Sequence, residues 1–210
     1  MKDLWDRLEA HATKNGRSLR LRPGSSEEEI AAAEQVMGLA FPADFRASLL
    51  VHDGQEPGDG DAAPFEFLPG CDALAPVAAI AAQWKEEQEW AMASNGDHTP
   101  EILNTIKHPR RIPIAGTRWW DGDNTYLDLT PAAAGTLGQV IAFHTECDMT
   151  VLGPSFRGAL ENYLAALDAG VWSYDVDRKA TRGPAPYNDG NRSWTFGEWV
   201  AASGRHHDAT

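Results

Sequence analysis

Residues 21–55 read LRPGSSEEEIAAAEQVMGLAFPADFRASLLVHDGQ, and their order of caps, apolar positions and breaks decides the fold. Ser25 and Ser26 each stand three residues before a glutamate, the spacing of a capping box at the start of a helix. Apolar side chains then follow at helical spacing until Gly38, a residue type that favours helix ends. Pro42 suits the first turn of a second helix, which the later Asp-Gly pair ends. The stretch therefore predicts two consecutive helices.

The segments on either side extend this pattern into helices followed by strands. Helical periodicity predicts further helices at residues 2–14, 73–92 and 156–168. From residue 111 the apolar period falls to about 2, which is typical of strands. Strands are predicted at 65–68, 111–114, 125–129, 139–143 and 150–152. Helices first and an antiparallel meander later indicate an α+β fold with a helix-rich N-terminal half.

The C-terminal part differs in composition from the rest of the chain. Residues 173–192 are rich in Pro, Gly, Asp and Asn, which predicts an extended segment across the surface. Thr195 stands three residues before a glutamate, so a short capped helix is expected there. A dense aromatic group accompanies it: Trp194, Phe196 and Trp199. We expect this group to dock the tail, with a domain at 1–170 and a C-terminal extension at 171–210.

Acidic side chains dominate the composition. The 210 residues include 31 Asp and Glu against 18 Lys and Arg, a formal net charge of −13. The excess lies in residues 23–101, with a net charge of −14, and in residues 119–177, with −8. Such a surface repels phosphate, which argues against binding to nucleic acid or to an anionic membrane. It is compatible with a basic protein partner.

The lack of a recognisable targeting signal and the cysteine usage predict a cytoplasmic protein. No window approaches about 18 uninterrupted apolar residues, and the first residues contain no apolar signal region. Cys71 and Cys147 stand far apart, which predicts reduced thiols and no disulfide framework. The expectation is a cytoplasmic location without a membrane span.

Two motifs have the residue types of metal sites, and each also has a structural interpretation. His52-Asp53 resembles a metal-binding pair, but no further ligands accompany it at fixed spacing. A helix end followed by an Asp-Gly turn explains it. The stretch from Asp121 to Asp128 alternates oxygen ligands, but it lacks the sixth-position glycine and twelfth-position glutamate of a calcium loop. A polar hairpin turn is the favoured interpretation, and we predict no metal and no cofactor.

Acidic and aromatic pairs complete the set of candidates. Glu86, Glu87 and Glu89 have the residue type of paired acid–base groups, and Glu86 and Glu89 share a helix face, but nothing indicates the desolvated pocket that would separate their pKa values. A solvated helix face is favoured, and no catalytic residue is predicted. Trp119 and Trp120 stand beside an acidic turn. Either both pack in the core or under the tail, or at least one is exposed as an interface hot spot.

The residues quoted so far resemble the SUKH superfamily, which includes the fungal cell-wall assembly regulators of the Smi/Knr type. The first match is residues 21–55, with the capped helix, the Gly-Leu-x-Phe-Pro break and the terminal His-Asp-Gly-Gln. The second carries Ile-Pro-Ile at 112–114, Asp-Gly-Asp at 121–123 and Gly-Gln-Val-Ile at 138–141. Together they cover roughly residues 4–168.

The resemblance implies a compact α+β domain whose central antiparallel sheet has helices packed around it. It also implies a role in protein interaction without a catalytic centre, since bacterial members commonly resemble immunity proteins that neutralise toxins. The leading hypothesis is an immunity protein that occludes a basic toxin domain, such as a nuclease. The alternatives are an intracellular scaffold or regulator of the cell-wall assembly type and, last, a hydrolase with an unrecognised site.

Loop positions suggest which side chains contact the partner. Carboxylates there would mimic phosphate charge and speed association, and exposed aromatic side chains would supply an anchor. The predicted partner-binding residues are Asp53, Glu56, Asp59, Asp61, Trp119, Trp120, Asp121 and Asp123.

Overall fold

A computed structural model describes residues 1–58, 60–71, 73–90, 92–93, 99–116, 123–144, 149–184 and 195–205 of the protein. The α-helices in these ranges are α1 Lys2–Lys14, α2 Glu27–Met37, α3 Ala43–Leu49, α4 Val77–Glu87, α5 Phe156–Asp168 and α6 Phe196–Ala202. The strands are β1 Met92–Ala93, β2 Thr105–Ile106, β3 Arg111–Gly116, β4 Asn124–Asp128, β5 Gln139–Phe143, β6 Met149–Gly153, β7 Ser173–Asp175 and β8 Ala180–Arg182. The predicted α+β class is confirmed. Within the described ranges, no helix is long and apolar enough to cross a membrane.

The N-terminal helices begin where the sequence places their caps. Ser26 Oγ accepts a hydrogen bond from Glu29 N at 3.2 Å, and Glu29 Oε2 accepts one from Ser26 N at 2.8 Å. This reciprocal pair makes Ser26, and not Ser25, the cap of α2. Trp5 of α1 is fully buried and donates its indole N–H to Ser48 Oγ of α3 at 2.9 Å. Helices α1 and α3 are thereby joined.

Strands β3 to β6 form one antiparallel sheet in the order β3-β4-β5-β6. Successive residues of a strand face opposite sides, so the side chains divide between two apolar clusters. The inner face belongs to the main core with the helices, through Ile112, Leu127, Val140 and Leu152. The outer face belongs to a second cluster, which contains Tyr126, Ile141, Met149, Val151 and Ile102. Both faces of the sheet are therefore covered.

Residues 99–106, which we call the outer segment, lie over the outer face of the sheet. The guanidinium of Arg111 donates to the backbone carbonyls of Leu103, at 2.8 Å, and Thr105. The side-chain amide of Gln139 donates to a third carbonyl of the segment at 2.9 Å. Polar side chains of β3 and β5 therefore fix this segment, because backbone carbonyls removed from water need such donors.

In the C-terminal region, α6 packs against β6 of the sheet, and β7 and β8 pair as an antiparallel hairpin. Helix α6 lies so close to β6 that a Cβ on Gly197 would stand 2.1 Å from Thr150 Oγ1. The capping box predicted at Thr195 is confirmed. Aromatic side chains of this region are buried and pack on one another: Trp172, Phe196 and Trp199. The domain boundary itself stays a prediction.

Two predicted elements differ from the structure. Residues 65–68 form no strand. Phe65 N donates to Ser18 O at 2.8 Å, but no ladder continues from this bond, and the apolar side chains that suggested a strand fill the core. The helix predicted at 73–92 begins only at Val77, because the residues before it lie extended against β3. An apolar run alone did not distinguish these conformations.

Candidate functional site

The His-Asp-Gly-Gln motif at the end of the deciding stretch holds the fold together. Asp53 Oδ1 accepts a hydrogen bond from Val77 N at 2.7 Å and so caps α4. His52 Nδ1 lies 3.0 Å from Arg22 O. Among the described residues, no group of three or more His, Cys, Asp and Glu side chains could hold a metal ion. The contacts of His52 and Asp53 thus support the interpretation as a helix end and turn.

Gln55 ties three segments of the chain together and is only 1% exposed. Its Nε2 donates to Leu19 O at 2.7 Å and to Phe65 O at 2.9 Å, while its Oε1 accepts from Leu74 N at 3.0 Å. The preceding Gly54 has a φ of +75°, and a Cβ there would stand 2.5 Å from Leu74 O. Only glycine fits this position. The motif is therefore architectural.

The predicted partner-binding residues that the structure describes lie in two connections, α3–α4 and β3–β4. Glu56 pairs with Arg22 at 2.6 Å, and its side chain is 52% exposed. Asp61 pairs with Lys179 at 2.6 Å and is 90% exposed. Both carboxylates therefore remain on the surface although each has a basic neighbour. Four of the predicted residues lie outside the described ranges: Asp59, Trp119, Trp120 and Asp121.

A groove of about 140 Å³ opens at the end of the sheet where β3 ends and β4 begins. Asp123, the remaining predicted residue, lies in its wall. Its Oδ2 is 3.3 Å from His144 Nδ1, and its side chain is 52% exposed. Other lining residues are Cys71, Phe143, Leu152, Trp172 and Phe196. Among the lining residues that the structure describes, the half-exposed carboxylate of Asp123 stands beside apolar and aromatic side chains.

Residues of the C-terminal region supply part of this groove. Trp172, Thr181 and Phe196 line it together with the first strands of the sheet. They stand far from Asp123 in the sequence, so local patterns did not link them to it. The density of aromatic residues in the C-terminal region was the one signal in the sequence. It predicted that this region docks on the domain but did not indicate the position of the contact.

A buried carboxyl lies at the end of α4, beneath the outer face of the sheet. The solvated helix face predicted for Glu86, Glu87 and Glu89 is wrong for Glu87, which is only 2% exposed because its side chain turns toward the sheet. Its Oε1 accepts from Gln83 Nε2 at 3.1 Å and from Tyr126 Oη at 3.2 Å. Burial raises the pKa of Glu87 above its ordinary value of 4.5, and the nearby Glu86 adds to the rise while Lys107 opposes it. The protonated, neutral form of Glu87 is therefore favoured more in the folded protein than in the unfolded chain.

Glu87→Gln is expected to stabilise the protein at pH 7 and to have little effect below about pH 4. A carboxyl with a raised folded pKa contributes stability below its unfolded pKa, and this contribution is lost as the pH rises through the folded pKa. Each unit of pKa displacement corresponds to about 1.4 kcal/mol. Glutamine keeps an acceptor for Gln83 and Tyr126 but carries no charge.

Thermal unfolding followed across pH measures this effect. Glu89, an exposed glutamate two residues further along, provides the matched control, since Glu89→Gln should leave the pH profile nearly unchanged. An identical pH dependence of the melting temperature in the wild type and Glu87→Gln would contradict the assignment.

Comparisons with known proteins identify relatives of this fold. Residues 24–162 match the SMI1 / KNR4 family (SUKH-1). The chain is 26% identical to a glucan synthesis regulatory protein of Neurospora crassa, over 82% of this chain and 39% of that protein. It is also 26% identical to the cell wall biosynthesis/cell cycle regulator smi1 of Schizosaccharomyces pombe, over 91% of this chain and 40% of that protein. A KNR4/SMI1 homolog of Yarrowia lipolytica is 33% identical over 49% of the chain and 14% of its own length.

The chain spans about two fifths of the length of the first two relatives, so the likeness concerns this domain and not the whole of those proteins. The family match includes the capped helix α2, the His-Asp-Gly-Gln motif and the four-stranded sheet. Because it covers well over half of the 210 residues, the chain belongs to the SMI1 / KNR4 family.

Proposed function

We propose that this chain is a non-catalytic module that binds another protein and acts in the regulation of cell-wall assembly. The observation that carries the proposal is the family match, together with relatives named as regulators of glucan synthesis and of cell-wall biosynthesis. These names favour the regulatory hypothesis over immunity to a toxin. Regulation through binding is consistent with this fold, because the side chains of its most specific motif, His-Asp-Gly-Gln, make contacts inside the protein.

The contacts of the motif support a role without chemistry. Asp53 caps α4, and Gln55 has its amide saturated by three backbone groups. A catalytic or metal-binding role would need these polar atoms to face a substrate. The buried carboxyl of Glu87 is bonded to Gln83 and Tyr126 inside the protein, which accounts for it structurally.

Charge indicates the kind of partner. A net charge of −13 attracts basic surfaces and steers their association. Glu56, Asp61 and Asp123 are each at least half exposed, so they contribute to that field from two connections, α3–α4 and β3–β4. A basic protein is therefore the proposed partner.

Deletion of the gene in its own organism tests the regulatory role. The deletion strain is expected to become hypersensitive to inhibitors of cell-wall synthesis, and the wild-type gene should restore resistance. Normal growth on these inhibitors would contradict the proposal.

Immunity to a basic toxin domain is the second candidate, and the acidity of the chain favours it because carboxylates can mimic the phosphates that a nuclease binds. Co-expression with the product of any adjacent toxin-like gene distinguishes the two functions. Rescue of growth by this chain, with no cell-wall phenotype in the deletion strain, would establish immunity instead of regulation.

A further inference from the structure

We propose that helix α6 covers a surface of the family domain that also binds a short aromatic helix of a basic protein partner. In the conformation that the structure describes, α6 occupies this surface, so the partner's helix must displace it. The contact of α6 is therefore autoinhibitory. This inference rests on the proposed function, since it names a surface through which such a partner binds.

The covered surface belongs to the family domain, whereas the helix that covers it does not. Strand β6 stands within the matched residues 24–162, and α6 follows them. Helix α6 packs closely against β6, because Gly197 has no Cβ that would overlap Thr150 Oγ1. Tyr163 of α5 extends the contact, with its ring centroid 5.8 Å from that of Phe196 in an edge-to-face arrangement. The domain thus carries a surface shaped for a helix that approaches through a glycine.

Aromatic and aliphatic side chains hold α6 in place. Phe196, Trp199 and Val200 are all buried. The ring of Trp172 packs edge-on against two of them, with its centroid 5.4 Å from that of Phe196 and 6.3 Å from that of Trp199. Aromatic anchors in desolvated contacts are typical of binding hot spots. The surface therefore accepts the order Phe-Gly-x-Trp-Val on one face of a short helix.

Two buried polar atoms weaken the docking of α6. Among the residues that the structure describes, Thr150 Oγ1 and Trp172 Nε1 are removed from water without a hydrogen-bond partner. Both residues contact α6, and a buried polar group without a partner is costly. A helix of seven residues is also too short to persist alone in water. Detachment of α6 therefore unfolds it and leaves the surface open to another helix.

Charge favours a basic partner over a second copy of the chain. The net charge of −13 makes two copies repel one another, whereas it attracts a basic protein. Just past α6, the guanidinium carbon of Arg205 lies over the ring of Trp199, 5.4 Å from its centroid. A basic side chain is thus compatible with the aromatic face of the helix. The occupant expected is a helix with Lys or Arg beside its aromatic contact residues.

A fluorescein-labelled peptide of residues 195–205 is the probe for this surface. It is titrated with the full wild-type chain and with full-length Gly197→Ala, and binding is followed by fluorescence anisotropy. In the variant, the new methyl group overlaps Thr150 and detaches α6 but leaves the surface itself unchanged. We expect the variant to bind the peptide at least about tenfold more tightly, because a site covered in the same chain binds only in its open fraction.

The same substitution in the peptide provides the matched control. A peptide that carries Gly197→Ala should lose saturable binding to the variant chain, because the overlap with Thr150 now arises on the ligand. General unfolding of the chain does not produce opposite effects of one substitution in chain and peptide. Amide hydrogen exchange of the variant should quicken about tenfold or more in α6, while β4 keeps its protection.

Several results would overturn the inference. They are equal binding of the peptide by the wild type and the variant, no saturable binding to either, equal binding of the two peptides, and unchanged exchange in α6 of the variant. Dimers of the wild type formed by exchange of α6 would assign the surface to a second copy and overturn it too. Since the deletion strain tests the proposed function separately, hypersensitivity with a failed titration would remove this surface and leave the regulatory role standing.

Discussion

Replacing Arg111 with methionine is expected to lower the free energy of unfolding by about 3–5 kcal/mol. The side chains of Arg111 and Asp128 are 1% and 0% exposed, and Nε lies 3.3 Å from Oδ1. Methionine fills the space of the side chain but leaves the buried carboxylate without its cation. It also removes the guanidinium donor to the carbonyl of Thr105 and one of the two donors to the carbonyl of Leu103, which keeps its bond from Thr105 N at 2.8 Å. Urea unfolding followed by circular dichroism measures the loss.

Two comparisons separate the buried charge from the loss of side-chain volume. Arg157→Met removes an exposed arginine paired with Glu161 at 3.1 Å, and it should cost at most about 1 kcal/mol. Combining Arg111→Met with Asp128→Leu removes both buried charges and is expected to recover part of the lost stability. A double variant less stable than Arg111→Met alone, or a single variant that loses under about 1 kcal/mol, would contradict this account.

Local patterns predicted much of the fold because the relevant interactions are local. The capping boxes at Ser26 and Thr195 involve residues three apart, so their spacing is visible in the sequence. The strands were predicted as well, since an apolar period of about 2 is typical of strands, but the period did not predict that both faces of the sheet are covered. The family resemblance named at the sequence level is confirmed by the match over residues 24–162.

Long-range contacts account for what the sequence did not predict. Arg111 begins a predicted strand, and nothing in its local sequence indicates that its charged side chain is buried; it lies buried because the outer segment covers its face of the sheet. The hairpin β7–β8 lies within a segment predicted only to be extended. Its position depends on Glu66, whose Oε2 accepts from Thr181 N at 2.7 Å across 115 residues. Such pairings leave no periodic trace in a single sequence.

In the candidate site too, a residue with a local signal was predicted, and the long-range contacts around it were not. Loop position placed Asp123 among the partner-binding residues, and the structure places it in the wall of the groove. The side chains that surround it come from other parts of the chain, including Phe143, Trp172 and Phe196. Their convergence depends on how α6 packs on β6, which is a property of the assembled fold. Residue types could therefore suggest a contact but could not delimit a groove.

Replacing Gln55 with methionine is expected to lower the free energy of unfolding by about 3 kcal/mol or more, because each buried backbone group left unpaired costs about 1–3 kcal/mol. Methionine matches the length of glutamine and has no amide. The substitution would therefore orphan Leu19 O, Phe65 O and Leu74 N together. These three groups belong to three separate segments of the chain, and each loses the hydrogen bond that this one side chain supplies.

Gln88→Met provides the matched control for this loss. Gln88 is partly buried, and its amide donates at 2.9 Å to Trp84 O within a single helical turn, so its removal should cost about 1 kcal/mol or less. Chemical unfolding of both variants at neutral pH gives the comparison. Equal losses would show that the amide of Gln55 contributes no more than an ordinary hydrogen bond. A large difference would show that the His-Asp-Gly-Gln motif stabilises the fold mainly through the side chain of Gln55, which contacts three segments. It would also explain why that stretch of sequence decides the fold.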